Sequence, residues 1–219
     1  MAAMDVKNRT LDAIMGHGPV IAVLIVEDPQ SAVPLARALV AGGVKVLEFT
    51  LRTAGALDAV RAVCDAVPEA VVGTGTVLSP ALLDASARAG AAFAVSPGMS
   101  PGLLAAAADH PLPLLPGAAT ASEVMSLLEA GYTRQKFFPA EAAGGTALLG
   151  AFASPLPQVQ FCPTGGIREN TASRWLALPN VRCVGGSWLA PAADIEAGAW
   201  AAITERARRA SALAAERGQ

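Results

Sequence analysis

The sequence predicts an α/β fold, a (β/α)8 barrel with an N-terminal helix, and three observations predict it. Eight short apolar runs, rich in β-branched residues, recur along the 219 residues, as expected of strands buried on both faces. Several of the segments between them open on helix-capping residues or close on glycine. The first strand–helix turn, Val26-Glu27-Asp28-Pro29, lacks the glycine-rich fingerprint of the competing doubly wound sheet. Strictly alternating strands and helices imply a parallel sheet, and eight units imply a barrel.

In chain order, a helical lead over roughly residues 4–16 ends at Gly16-His17-Gly18, and the first strand covers 19–26. Asp28-Pro29 pairs an N-cap with proline at the first helical position and opens a helix that closes at Gly42-Gly43. Strand two is 44–51, a helix covers about 54–67, and strand three is 70–77. Ser79-Pro80 caps the next helix, which stops at Gly90 before strand four at 91–95. Ser100-Pro101 starts a short helix, and strand five is 112–115. Thr120-Ala121-Ser122-Glu123 is a capping box for a helix ending at Gly131. Strand six carries Lys136, strand seven is 159–163, strand eight is 181–184, and a long Ala/Arg-rich helix closes the chain. No linker or low-complexity tract divides residues 1–219, so one domain is expected.

Composition narrows the function. The chain is 53% hydrophobic and 16% charged, which leaves few charges to cover the exterior and favours an oligomer with apolar interfaces. A net charge of −2 and the absence of a Lys/Arg cluster offer nucleic acid no basic surface. The apolar runs are too short to span a bilayer, and the N-terminus lacks the pattern of a signal peptide. Cys64, Cys162 and Cys183 are scattered without metal-ligand spacing, which reads as a reducing compartment. A soluble cytoplasmic protein, with no membrane partner, is the expectation.

The chemistry centres on Arg134-Gln135-Lys136-Phe137-Phe138-Pro139-Ala140-Glu141. Lys136 is one of three lysines and the one set within an apolar, strand-like run; Lys7 lies in the N-terminal lead and Lys45 opens strand two. A strand lysine among aromatics must be paired, neutralised or used. Desolvation favours the free amine over the ammonium, and a free amine is the nucleophile of imine chemistry. A lysine snorkelling past its neighbours is the alternative, and this stretch alone leaves both open.

Strand two turns Glu48, Thr50 and Arg52 to one face and Lys45, Leu47, Phe49 and Leu51 to the other. The apolar set suits the helix-covered side, which turns Glu48 and Arg52 inward. A carboxylate buried within a barrel needs compensation or a task; Glu48 serves either as a proton carrier or as the structural partner of Arg52. Arg52, at the strand mouth, suits bidentate capture of a substrate carboxylate. By the same parity Lys136 shares a face with Phe138. Strand three ends Gly73-Thr74-Gly75-Thr76, where Thr76 offers a hydroxyl or merely completes a turn and the glycines admit substrate. Ser96-Pro97-Gly98 reads as a turn. Thr164-Gly165-Gly166 and Gly185-Gly186-Ser187 follow the last two strands, where barrels often bind phosphate through backbone N–H groups; tight left-handed turns are the alternative. Two histidines, His17 and His110, fall away from the strand ends, against a histidine or metal centre. A lysine, a carboxylate, an arginine and an oxyanion cradle together fit imine chemistry on a keto acid.

Six motifs in order now carry a family resemblance: Val46-Leu47-Glu48-Phe49-Thr50-Leu51-Arg52-Thr53, Gly73-Thr74-Gly75-Thr76-Val77, Ser96-Pro97-Gly98, Lys136-Phe137-Phe138-Pro139-Ala140-Glu141, Phe161-Cys162-Pro163-Thr164-Gly165-Gly166-Ile167 and Gly185-Gly186-Ser187-Trp188. From about residue 18 to the final helix the chain resembles the bacterial 2-keto-3-deoxy-6-phosphogluconate (KDPG) aldolases, which overlap in activity with 4-hydroxy-2-oxoglutarate aldolases. The resemblance implies a cofactor-free, metal-independent class I aldolase, a homotrimer of barrels, that splits KDPG into pyruvate and glyceraldehyde 3-phosphate in the Entner–Doudoroff route. It implies Lys136 as the imine-forming residue and Glu48 as general acid/base. Arg52 would bind the carboxylate, Thr76, Pro97 and Phe138 would shape that end of the pocket, and Thr164, Gly165, Gly166, Gly186 and Ser187 would bind the phosphate. Two positions depart from the family pattern. Thr74 stands where a small residue is usual, with an expected effect at the pocket edge, and Ala147 replaces a basic residue that many relatives carry. An aldolase for 4-hydroxy-2-oxoglutarate, or another unphosphorylated 2-keto acid, is the alternative within the same chemistry. A phosphosugar-binding or isomerase-type barrel using Glu48 alone is the alternative outside it.

Overall fold

The computed structural model describes residues 2–213; residue 1 and residues 214–219, included in the one-domain expectation, lie outside the described residues. Five strands run parallel and in sequence order: β1 (Val20–Leu24), β2 (Val46–Thr50), β3 (Val71–Gly75), β4 (Phe93–Val95) and β5 (Leu114–Leu115). On the far side of β1 lies β9 (Val184–Gly186). A second parallel sheet holds β6 (Gly117–Ala118), β7 (Arg134–Phe137) and β8 (Gln160–Pro163). Only Pro116 separates β5 from β6. Parallel bridges join Phe161 to Val181 and Thr164 to Gly185, linking β8 to the β9 segment.

Beyond strand ends that are one or two residues shorter than expected, two departures from the sequence expectation stand out. Strand five is not one run: β5 pairs with β4, and β6 pairs with β7. Pro116 has no N–H for a ladder, while its carbonyl accepts from the Lys136 N–H at 2.8 Å, so the chain changes partners there. Strand eight begins at Val184 rather than Val181, which makes only an isolated bridge.

The helices follow the predicted punctuation. They are α1 (Ala2–Met15), α2 (Ala32–Ala41), α3 (Ala56–Ala66), α4 (Pro80–Arg88), α5 (Pro101–Asp109), α6 (Ala121–Glu129), α7 (Gly145–Ala151), α8 (Glu169–Leu176), α9 (Ala192–Glu196) and α10 (Trp200–Ala212). Asp28 caps a 3-10 turn, Pro29–Ser31, and α2 proper starts only afterwards. Ser79 and Ser100 each accept a backbone N–H at the start of α4 and α5, with proline at the following position. Among the described residues no helix is long and apolar enough to cross a membrane.

Strand parity sorts the core into two layers. Leu47, Phe49, Val72, Ala94, Leu114, Phe137 and Phe161 face the helices. Ile21, Val46, Phe93, Val95, Leu115, Cys162 and Cys183 form a separate inner cluster with Leu11, Ile14 and Met15 of α1. The leading helix therefore seals the N-terminal end of the strands, and the polar residues of the inner face collect at the opposite end.

The capping box at α6 gives a pH-dependent contribution to stability. Glu123 accepts the N–H of Ala119 at 2.8 Å and of Thr120 at 2.9 Å, while Thr120 Oγ1 accepts the N–H of Glu123 at 3.3 Å. The Ala119 backbone hydrogen bond, followed by those from Thr120, holds the Glu123 carboxyl below its ordinary value near 4.5 against the opposing effect of burial. A carboxyl depressed in the folded state stabilises above its unfolded value and loses that contribution as pH falls through the folded one. Glu123→Gln is therefore predicted to cost about 0.5 kcal/mol at pH 7. Chemical unfolding as a function of pH should show the difference from the parent shrinking below about pH 4.5.

Candidate active site

The site is assembled at the C-terminal ends of the strands. Glu48 lies in the middle of β2, opposite Val23 of β1 and Gly73 of β3. Lys136 lies in β7, opposite Gly117 of β6 and Cys162 of β8. Though 88 residues apart in sequence, they meet: Lys136 Nζ donates to Glu48 Oε1 at 3.2 Å. Both are almost wholly buried, at 5% and 3% exposure. Of the three states open to a strand lysine, pairing is the one the structure displays. The same ammonium lies 5.4 Å from the centroid of the Phe138 ring, as expected for two residues sharing a face.

Arg52 is not the partner of Glu48. It is exposed at the mouth, and its Nε donates to Thr76 Oγ1 at 3.1 Å. Thr76 has φ 60°, the one non-glycine residue at positive φ among those described. A β-branched side chain there is strained, and such strain concentrates at ligand-binding positions. The neighbouring Thr50 and Thr53 have their hydroxyls committed to the carbonyls of Leu24 and Val26, which ties the end of β2 to the end of β1. Arg52 is thus held at its base by a firm strand end while its guanidinium faces solvent.

The glycines of β3 lie against other groups of the site. A Cβ at Gly75 would come within 2.2 Å of Glu48 Oε1, and one at Gly73 within 2.4 Å of the Phe93 ring. They make room for the buried carboxylate and for the floor beneath it. The same parity corrects the expectation for Thr74. It points away from the pocket edge, fully buried, with its hydroxyl donating to Ser86 Oγ of α4 at 2.7 Å. Pro97 lies half-buried beyond β4, with its carbonyl packed against Gly117.

At the other end of the site the chain after β8 turns through Gly165 and Gly166 at φ 106° and 80°, a left-handed path that favours glycine. Thr164, just before it, is buried and bridged to Gly185, while Gly186 ends β9 and Ser187 is exposed beyond it. Consecutive backbone N–H groups in such turns make an anion-binding concavity. Sequence reading missed Glu141 at this turn. Its side chain packs on Gly166 and accepts from Trp175 and Arg174 of α8; its place in the Lys136 motif was the available signal.

Burial alone does not single out Lys136. Lys7, at 8% exposure, is nearly as buried as Lys136. Its ammonium caps the end of α5, donating to the carbonyls of Ala107 at 2.7 Å and Ala108 at 2.6 Å. Desolvation pushes its pKa down, against the pull of Asp109. Lys7 meets carbonyls, which cannot take a proton, whereas Lys136 meets a carboxylate, which can.

The family model for KDPG and KHG aldolase matches residues 11–206. The KHG/KDPG aldolase of Escherichia coli K12 is 52% identical over 93% of this chain and 95% of its own length. The 2-dehydro-3-deoxy-phosphogluconate aldolase of Pseudoalteromonas atlantica is 50% identical over 92% and 94%. Among solved structures, the KDPG aldolase of Legionella pneumophila, with pyruvate captured as a covalent carbinolamine, superposes with a TM-score of 0.90. It is 45% identical and covers 91% of this chain and 97% of its own. The Zymomonas mobilis enzyme with 3-phosphoglycerate gives a TM-score of 0.89 at 48% identity, over 94% and 97%. The chain belongs to the KDPG and KHG aldolase family.

Proposed function

We propose that this protein is a class I aldolase that cleaves 2-keto-3-deoxy-6-phosphogluconate to pyruvate and D-glyceraldehyde 3-phosphate. The observation that carries this reading is the buried Lys136–Glu48 pair, with 3.2 Å between amine and carboxylate. An amine beside a group that can take its proton is a nucleophile with a base already in place.

Lys136 attacks the C2 carbonyl to give a carbinolamine, and loss of water leaves the protonated imine. The imine nitrogen draws the electron pair of the breaking C3–C4 bond, while the C4 hydroxyl proton goes to a base and the aldehyde departs. The remaining enamine takes a proton at C3, and water releases pyruvate and the free lysine. Each step moves one proton, and Glu48 is the carboxylate in reach of Nζ to carry it. Arg52 takes the substrate carboxylate, with Thr76, Pro97 and the Phe138 ring around that end. Thr164, Gly165, Gly166, Gly186 and Ser187 receive the phosphate. The captured pyruvate of the Legionella enzyme and the 3-phosphoglycerate of the Zymomonas enzyme support the two halves of this assignment.

The same reading takes the two sheets as one (β/α)8 barrel, supported by the continuity through Pro116 and the bridges between β8 and the β9 segment. It places the protein in the cytoplasm as a homotrimer, supported by the apolar composition and by exposed Val6, Ile25, Leu78 and Met125. An activity toward unphosphorylated 4-hydroxy-2-oxoglutarate is the second reading. The shared family name favours it, as does Ala147 in α7, where no cation is brought to a phosphate.

Lys136→Arg should lose cleavage to background in a coupled pyruvate assay, because a guanidinium cannot form the imine; substantial remaining activity would overturn the aldolase mechanism. Glu48→Gln should keep KM near the parent value and lower kcat by about 10²–10⁴-fold, the usual worth of a positioned acid–base group. Comparable kcat/KM with and without the substrate phosphate would favour the second reading, since the glycine turns would then add little transition-state binding.

A further inference from the structure

Glu141 stands five residues beyond Lys136, outside the groups assigned to the reaction, and yet it connects three parts of the site. Its backbone N–H donates to the Gly165 carbonyl at 3.0 Å, and the Ala140 N–H donates to the Thr164 carbonyl at 2.8 Å. The segment leaving β7 is thereby stitched to the segment leaving β8. On the same contact line a Cβ at Gly166 would lie 2.8 Å from both Cβ and Cγ of Glu141, and one at Gly165 would lie 3.3 Å from the Phe138 ring. The left-handed turn rests directly on the chain that follows Lys136.

The side chain locks the arrangement. Glu141 Oε1 accepts from the indole Nε1 of Trp175 at 3.2 Å and is ion-paired with Arg174. Trp175 is fully buried and packs on Phe137, with ring centroids 6.4 Å apart. Phe137 is the residue next to Lys136, on the opposite face of β7. A continuous chain of contacts therefore runs from Lys136 through Phe137, Trp175 and Glu141 to Gly166. Arg174 is half-exposed and its ion pair adds little by itself; the indole hydrogen bond is the buried, directional part.

We propose that Glu141 is a positioning residue that fixes the Gly165–Gly166 turn at a set distance from Lys136, and so selects 2-keto acids by the separation of their carbonyl and phosphate. This rests on the aldolase reading given above. Without the Glu141 carboxylate the turn keeps its backbone bonds but loses its anchor to α8. The phosphate end is then met by a looser cradle, while the amine and Glu48 are untouched.

The test is steady-state cleavage of KDPG and of unphosphorylated 4-hydroxy-2-oxoglutarate by the full-length protein, Glu141→Ala, Glu141→Gln and Trp175→Phe. Glu141→Ala should raise KM for KDPG about tenfold, the worth of one charge-assisted hydrogen bond, and leave kcat/KM for the unphosphorylated acid unchanged. Glu141→Gln, whose amide oxygen still accepts from the indole, should restore most of the loss. Trp175→Phe, which keeps a ring against Phe137 but removes the N–H donor together with part of the buried indole, should shift the ratio of the two substrates in the same direction as Glu141→Ala, and Glu141→Gln carries the test if neither of the other two variants folds. An unchanged ratio in the folded variants, or an equal fall for both substrates, would overturn the positioning role. A parent protein that cleaves both acids equally well would overturn it too, because the turn would then select nothing. A parent that cleaves neither would remove the aldolase reading beneath it.

Discussion

The buried ion pair between Lys136 and Glu48 is the constraint on which the rest of the site depends. Two opposite charges held almost out of water are stable only when geometry is good, and removing either partner leaves a buried charge uncompensated, at a cost of about 3–5 kcal/mol. Here the surroundings are built for it. Gly75 leaves space for the carboxylate, because any side chain at that position would collide with Oε1. The Phe138 ring lies beside the ammonium. The inner cluster of Ile21, Val46, Phe93, Val95, Leu115 and the α1 residues closes the floor beneath.

From that floor the polarity of the site rises in one direction. Buried Lys136 and Glu48 sit deepest, Thr76 and Arg52 stand at the mouth, and the Gly165–Gly166 turn lies across from them. The proposed substrate, a 2-keto acid with a distal phosphate, carries its groups in a matching order: a carbonyl proposed for the amine, a carboxylate for the guanidinium, and a dianion for the backbone turn. The aromatic cluster of Phe137, Phe152, Phe161 and Trp175, with centroids 6.3–6.5 Å apart, backs the lysine strand from the helix side. The Lys136 amine is thus carried on a strand paired on both sides and backed by rings, and its geometry owes little to loops.

What the sequence shows of all this follows from range. Strand parity is local, so the inward turn of Glu48 and the shared face of Lys136 and Phe138 could be read directly, whereas Arg52 lies past the end of β2, where parity no longer holds, and is exposed. The caps at Ser79, Ser100 and Thr120 were readable for the same reason. The contact between Lys136 and Glu48 was not, because it joins strands far apart in the chain; sequence spacing made Arg52 the natural partner for Glu48. The break at Pro116 also escaped, since the change of ladder depends on which neighbour each half of the strand meets. Thr74 was placed by its departure from a family pattern, whereas parity with inward Gly73 and Gly75 already turned it toward α4. Lys7 shows the limit of composition: a buried lysine can be structural, and only its acceptors reveal which kind it is.

The measurement that bears most directly on the account is borohydride reduction in the presence of pyruvate, followed by peptide mass mapping. The account predicts a pyruvyl-derived mass increase confined to the peptide containing Lys136, absent from Lys136→Ala and formed more slowly in Glu48→Gln. An adduct on Lys7 or Lys45, or no adduct in a folded protein, would contradict it and return the site to a reading that uses Glu48 without imine chemistry.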